Sequence, residues 1–248
     1  MDTTTLLPTP AFEFEEILNL LRVCFETAMV DYWDPSACVF EPLIYNSRTR
    51  ADVSRVRSAT SPPPQVMEHS TQHLRRFSKA LLCNHFTFFM SHIVRDLLAL
   101  QGFQVATRWV EFDPNRLLIF KFHDGDTECV SHSVLEISLE DGRIVYFDGT
   151  GEQFGWPSKS WLLEKDDYFN LHVSRENTHL KTNMSPTQYD ELRKSIMETH
   201  KDIGGKMFGA MWDMFIQMDW QSLGRISPCK RVRHILTMTK ELHKRHSG

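Results

Sequence analysis

The chain has 248 residues, 41% hydrophobic and 24% charged, a balance that predicts a folded domain with a sizeable core and excludes wholesale disorder. Its formal net charge of −4 excludes a polyanion binder acting through bulk charge, although Arg225–Arg245 sets seven basic residues against the single acid Glu241. The five cysteines, Cys24, Cys38, Cys83, Cys129 and Cys229, are odd in number and irregularly spaced; Met1–Pro10 lacks a secretory pattern and no stretch approaches the ~18 apolar residues of a membrane span. Reduced thiols, a cytoplasmic location and no membrane association are therefore expected.

Residues 1–10 read as a polar leader. From Phe12 to Val30 the residues Phe14, Ile17, Leu18, Leu21, Phe25 and Met29 recur at helical spacing, which predicts an amphipathic helix within 11–33, ended before Pro35. Residues 34–65 have no clean period and predict an irregular segment closed by the loop Ser58–Pro64. A helical region follows from Val66 to Gln101. Its later part is apolar on much of its circumference, and Gly102 stands where a helix-ending glycine belongs.

The period then changes to that of strands over Phe103–Phe112, Leu117–His123, Cys129–Leu139 and Arg143–Gly149, with Glu140-Asp141-Gly142 as a hairpin loop. Thr150–Val173 reads as an aromatic-rich loop. Ser185, Pro186 and Gln188 carry the pattern of a helix start, and Lys206–Trp220 and Pro228–His246 read as further helices. Met207, Met211, Met214 and Met218 form a stripe suited to a core or a helix-docking face. The expected class is α+β: a central helix packed on an antiparallel sheet of about four strands, with extra helices at both ends. One domain over 1–248 is expected, with its helix-and-sheet core at 66–175 and C-terminal helices over 185–248.

One set of residues carries a coherent chemistry. Nucleophilic cysteine catalysis needs a thiol held as thiolate, a histidine to move its proton and a third group to orient that histidine. Cys83 precedes the apolar helical stretch. With Asn84 as an N-cap, Cys83 sits at the positive end of a helix; in one unbroken helix from Val66 to Gln101 it is an ordinary core residue. His132 and Asp148 lie on the two hairpin strands. A three-residue loop with Gly142 left-handed sets Leu139 opposite Arg143 and makes Asp148 the same-face diagonal neighbour of His132, about 7–8 Å away between α-carbons. A two-residue loop puts them on opposite faces.

A cysteine opening a helix, the strand His132-Ser133-Val134-Leu135-Glu136-Ile137, the turn Asp141-Gly142, the strand Val145-Tyr146-Phe147-Asp148-Gly149-Thr150 and then Gln153-Phe154-Gly155 resemble the papain-like, transglutaminase-like superfamily over about residues 80–156. Cys83 departs from the pattern of many members in being flanked by Leu82 and Asn84 rather than by a glycine and an aromatic residue. The resemblance implies a catalytic Cys83–His132–Asp148 set, no cofactor, and acyl transfer through a thioester on a small-molecule or peptide substrate. Water as acceptor gives an amidase or peptidase; an amine gives an amide-forming acyltransferase. It also implies oxyanion donors from the Cys83 backbone N–H and one side chain, for which Gln72 is the candidate. Gln153, Trp156 and Trp161 are candidate substrate contacts. The basic C-terminal segment admits an RNA-borne aminoacyl donor, or is a solvated helix face. Two rivals stand beside this reading: a metal site drawing on Cys83, His85, Cys129 and His132, a ligand set zinc accepts, and a non-catalytic binding protein on a degenerate papain-like scaffold.

Overall fold

The computed structural model describes residues 12–28, 38–40, 44–46, 51–58, 75–76, 79–80, 82–121, 131–174, 181–182, 191, 214–215 and 218–246. The N-terminal apolar repeat folds as α1 (Phe14–Ala28), which buries Ile17, Leu18, Leu21 and Phe25. Three strands follow where an irregular segment was expected: β1 (Cys38–Phe40), β2 (Ile44–Asn46) and β3 (Ala51–Ser58). The helical region does not run unbroken from Val66. Its apolar half is a separate helix, α2 (Cys83–Leu100), and Cys83 is its first residue. Leu82, with no side-chain hydrogen bond, occupies the N-cap position expected for Asn84. Gly102 adopts φ 86°, and the Phe103 N–H donates to the Leu98 carbonyl at 2.9 Å. That left-handed turn ends the helix, as only glycine does without strain.

The next strands are β4 (Val105–Phe112), β5 (Leu118–Lys121), β6 (His132–Leu139) and β7 (Ile144–Phe147). They are not a simple meander. β4 pairs directly and antiparallel with β6, from Val105 opposite Leu139 to Phe112 opposite His132. β5 leaves that sheet and pairs parallel with β3, which also pairs antiparallel with β1 and β2. Eight consecutive pairs between β4 and β6 occupy the edge that β5 would need, and a distant strand satisfies the β5 backbone instead.

The expected loop Thr150–Val173 is also structured. Two single 3-10 turns, Gly151–Phe154 and Ser158–Trp161, lead into β8 (Leu162–Glu164) and α3 (Lys165–His172). α3 is short and lacks an apolar repeat in sequence; it forms where Tyr168 and His172 pack into an aromatic cluster. With β9 (Lys181–Thr182), the main sheet is five-stranded, in the order β8-β7-β6-β4-β9. Thus the chain is mixed helix and sheet, with an antiparallel sheet and several helices. α4 (Trp220–Gly224) and α5 (Pro228–His246) close the described chain. The expected helix start at Ser185–Gln188, and Met207 and Met211 of the methionine stripe, lie outside the described residues; Met214 and Met218 are in the core.

Both faces of the central strand are covered. Leu135 and Ile137 of β6, with Phe147 of β7, turn toward α2 and the core it shares with α1 and α5. Phe86 of α2 stands edge-on to Phe25 of α1 at 5.1 Å and to Phe147 at 5.0 Å, tying the layers together. Val134 and Tyr146 turn the other way, into a second cluster with Phe112, Phe154, Trp156 and Tyr168. The alternation of side chains along β6 therefore divides a packing face from the face that carries His132.

Arg231 anchors the C-terminal helix. It is buried, donates to the carbonyls of Leu223, Gly224 and Ile226 at 2.8–3.1 Å and pairs with Glu16 of α1 at 2.7 Å. It also lies over the Phe12 ring at 4.3 Å. One of the seven bases of the C-terminal segment is thus consumed in structure. Arg231→Ala strands a half-buried carboxylate and three carbonyls, and is expected to lower the unfolding free energy by about 3 kcal/mol. Urea denaturation reads this, with the exposed Arg233→Ala changing stability by less than about 0.5 kcal/mol.

Candidate active site

The hairpin has the three-residue form. Gly142 has φ 87°, its N–H donates to the Leu139 carbonyl at 3.0 Å, and the Leu139 N–H donates to the Arg143 carbonyl at 2.9 Å. The register runs Leu135 opposite Phe147 and Ser138 opposite Ile144. It sets Asp148, one residue past β7, diagonal to His132, the first residue of β6. His132 Nε2 and Asp148 Oδ2 are 2.8 Å apart, and both residues are buried.

Asp148 is saturated with donors. Its Oδ1 accepts the backbone N–H groups of Thr150 and Gly151, each at 2.9 Å. Its Oδ2 accepts the Tyr168 hydroxyl at 2.8 Å besides meeting the imidazole. The run Asp148-Gly149-Thr150-Gly151 has this composition for steric reasons. A Cβ on Gly149 would fall inside the Phe86 ring, and one on Gly151 would collide with Asp148 Oδ2 and Trp156.

The His132 ring is boxed by aromatic rings, Phe154 at 4.8 Å, Trp156 at 5.3 Å and Phe112 at 5.5 Å. Nδ1, its second nitrogen, has no hydrogen-bond partner among the described residues. The Cys83 side chain also acts on the ring electrostatically, favouring its charged form. With Nε2 taken by Asp148, Nδ1 is the nitrogen left open to accept a proton. The elements agree: Cys83 begins α2, His132 begins β6, and the Ser133 hydroxyl donates to Asn84 Oδ1 at 2.6 Å, pinning the two starts together.

Electrostatics follow from this packing. Burial works against the His132 imidazolium, but the charge and hydrogen bond of Asp148, aided by Cys83, outweigh it and raise the ring to about 9. Burial likewise works against the Asp148 carboxylate; the His132 charge and hydrogen bond, with the Thr150 N–H and the Tyr168 hydroxyl, bring it down to about 2. The neighbouring His172, stacked on Trp156 at 4.1 Å, is pushed by burial down to about 4 and stays neutral.

No family model, curated protein or solved structure matches this chain. The candidate chemistry therefore rests on the residues themselves.

Cys83, His132 and Asp148 come together. The three expected substrate contacts are spread differently. Trp156 is almost fully buried, with its indole N–H donating to the Asn115 carbonyl at 2.7 Å. Trp161 is half-buried, with the Arg22 guanidinium 5.2 Å from its ring centroid. Both tryptophans line a crevice beside Asp148 that also touches Lys79, Glu152 and Ser158. Gln153 is buried in the first 3-10 turn and is not part of that lining. Gln72 and Cys129 lie outside the described residues, and among those described no group of three or more metal-ligating side chains could hold an ion.

Sequence reasoning missed Tyr168, which reaches Asp148 only because α3 folds over the sheet. It also missed the Asn84–Ser133 bond, which joins residues 49 positions apart. In hindsight the acid-rich start of α3, Asp166 and Asp167, was its one local signal.

The shifts set the pH dependence of stability. The His132 contribution is complete below its ordinary 6.5 and is lost as pH rises through about 9. The Asp148 contribution is complete above 3.8 and is lost as pH falls through about 2. The stability gap between the parent chain and His132→Gln, from urea midpoints, is expected to be widest between 3.8 and 6.5 and to shrink as pH approaches 9.

Proposed function

We propose that this chain is a cysteine-dependent acyl-transfer enzyme of papain-like character, with Cys83 as nucleophile, His132 as proton carrier and Asp148 as the group that orients the ring. One observation carries the reading. A buried carboxylate holds His132 by Nε2 at 2.8 Å and leaves its other nitrogen open, while the thiol that begins α2 acts electrostatically on the same ring. An anchored imidazolium and a helix N-terminus both favour thiolate over thiol. The Cys83 proton passes to His132 Nδ1, and the sulfur attacks an acyl carbonyl carbon. The leaving group takes the proton back as the thioester forms. Water or an amine then attacks the thioester, gives its proton to His132, and frees the thiolate.

The substrate in this reading is a small-molecule or peptide acyl compound, approached past Trp161. An RNA-borne acyl donor would meet the exposed Lys230, Arg233, Lys240 and Arg245 of α5, and its binding would weaken steeply with salt. A reducing, cytoplasmic setting is consistent with Cys24, Cys83 and Cys229 being free thiols. Among the described residues no helix is long and apolar enough to cross a membrane.

A specific observation favours a second reading, a non-catalytic binding protein on the same scaffold: Cys83 is only 4% exposed. The two readings separate by residue-resolved iodoacetamide labelling. The chain supplies its own references. Exposed Cys229 reports ordinary thiol chemistry, and Cys24, pushed by burial up to about 12, reports a sealed one. Catalysis predicts that Cys83 alkylates at mildly acidic pH at least about tenfold faster than Cys229, and that His132→Ala abolishes this advantage. Slow labelling of Cys83, unchanged in His132→Ala, would leave the binding protein.

A further inference from the structure

Acyl transfer through a tetrahedral intermediate needs a donor aimed at the oxygen where negative charge develops. A side chain beside the thiol carries such a donor. Asn84 follows Cys83 on α2 and is half-buried. Its Oδ1 accepts the Ser133 hydroxyl at 2.6 Å and the Cys83 thiol at 3.9 Å. Ser133 is itself buried at the start of β6, so one end of the amide is fixed to the sheet. The other end, Nδ2, carries two protons and has no acceptor among the described residues. No side chain caps the helix at Leu82, so the first turn of α2 adds positive potential at the same end. A pinned amide with unused protons, adjacent to the reacting sulfur, is preorganised for an anion that exists only in passing.

We infer that the Asn84 side-chain amide is the oxyanion donor of this site, with Ser133 as its positioning residue. The inference rests on the acyl-transfer reading. With an aryl ester as substrate, Cys83 sulfur forms a bond to the carbonyl carbon, and the carbonyl π pair moves onto oxygen. That oxygen accepts an Nδ2–H of Asn84. The pair then returns, the bond to the aryloxide breaks, and the thioester remains on Cys83. Alkylation by iodoacetamide proceeds instead by displacement of iodide at a saturated carbon and passes through no oxyanion.

This difference gives the experiment. The parent chain, Asn84→Ala and Ser133→Ala are each compared in two reactions: Cys83 alkylation by iodoacetamide, and Cys83 acylation by p-nitrophenyl acetate, followed by the nitrophenolate burst and the acetylated Cys83 peptide. Asn84→Ala is expected to acylate on the order of a hundredfold more slowly while its alkylation rate stays within about threefold of the parent. Ser133→Ala, which frees the amide without removing it, is expected to lose about tenfold in acylation alone. Equal acylation in the parent and Asn84→Ala overturns the inference. Parallel loss of both reactions in Asn84→Ala and Ser133→Ala also overturns it, because Asn84 would then hold the thiol in place rather than stabilise charge. Failure of the underlying reading looks different: the parent chain itself shows no preferential Cys83 alkylation.

Discussion

The Asp148 carboxylate is the group on which the rest of this site depends. Burying an ionised carboxylate costs several kcal/mol unless donors replace its water. Here two backbone N–H groups, a tyrosine hydroxyl and an imidazole do so. These donors come from three different pieces of chain: the turn after β7, helix α3 and the start of β6. Satisfying one charge therefore fixes three elements relative to one another, and His132 is oriented as a consequence.

The same requirement explains the local composition. The Thr150 and Gly151 amides reach Oδ1 only because the chain turns tightly after Asp148, against the Phe86 ring on one side and Trp156 on the other. Phe86 belongs to the packing face, where it touches rings from α1 and β7. Hence the glycines beside Asp148 are where core and site meet, and a change in either is felt in the other.

Among the described residues, three free thiols show how environment sets chemistry. Cys24 is enclosed by the α1–α5 core, with the Thr239 hydroxyl 3.8 Å away, and burial drives its thiol up to about 12. Cys229 is exposed beside Ser227. Cys83 is as buried as a core residue, yet it begins a helix and acts on a histidine already engaged by a carboxylate. Burial alone makes a thiol inert; burial with an anchored imidazole beside it is the arrangement that nucleophilic catalysis uses.

The sequence by itself determined what is local. The 3.6-residue repeats gave α1, the apolar helix ending at Gly102, and α5, because one face of each must find a core. The Glu140-Asp141-Gly142 loop marked the hairpin but left two registers open; the structure takes the three-residue form with Gly142 left-handed, and that register brings His132 and Asp148 together across it. Tertiary structure alone decided the rest, because those contacts join residues far apart in the chain and leave no period behind. β5 left its neighbours for β3, α3 carried Tyr168 to Asp148, and Ser133 gripped Asn84 across 49 residues. The start of α2 was equally undecided by sequence: a continuous helix and one beginning at Cys83 share the same apolar pattern, and only packing against β6 and its Ser133 hydroxyl distinguishes them.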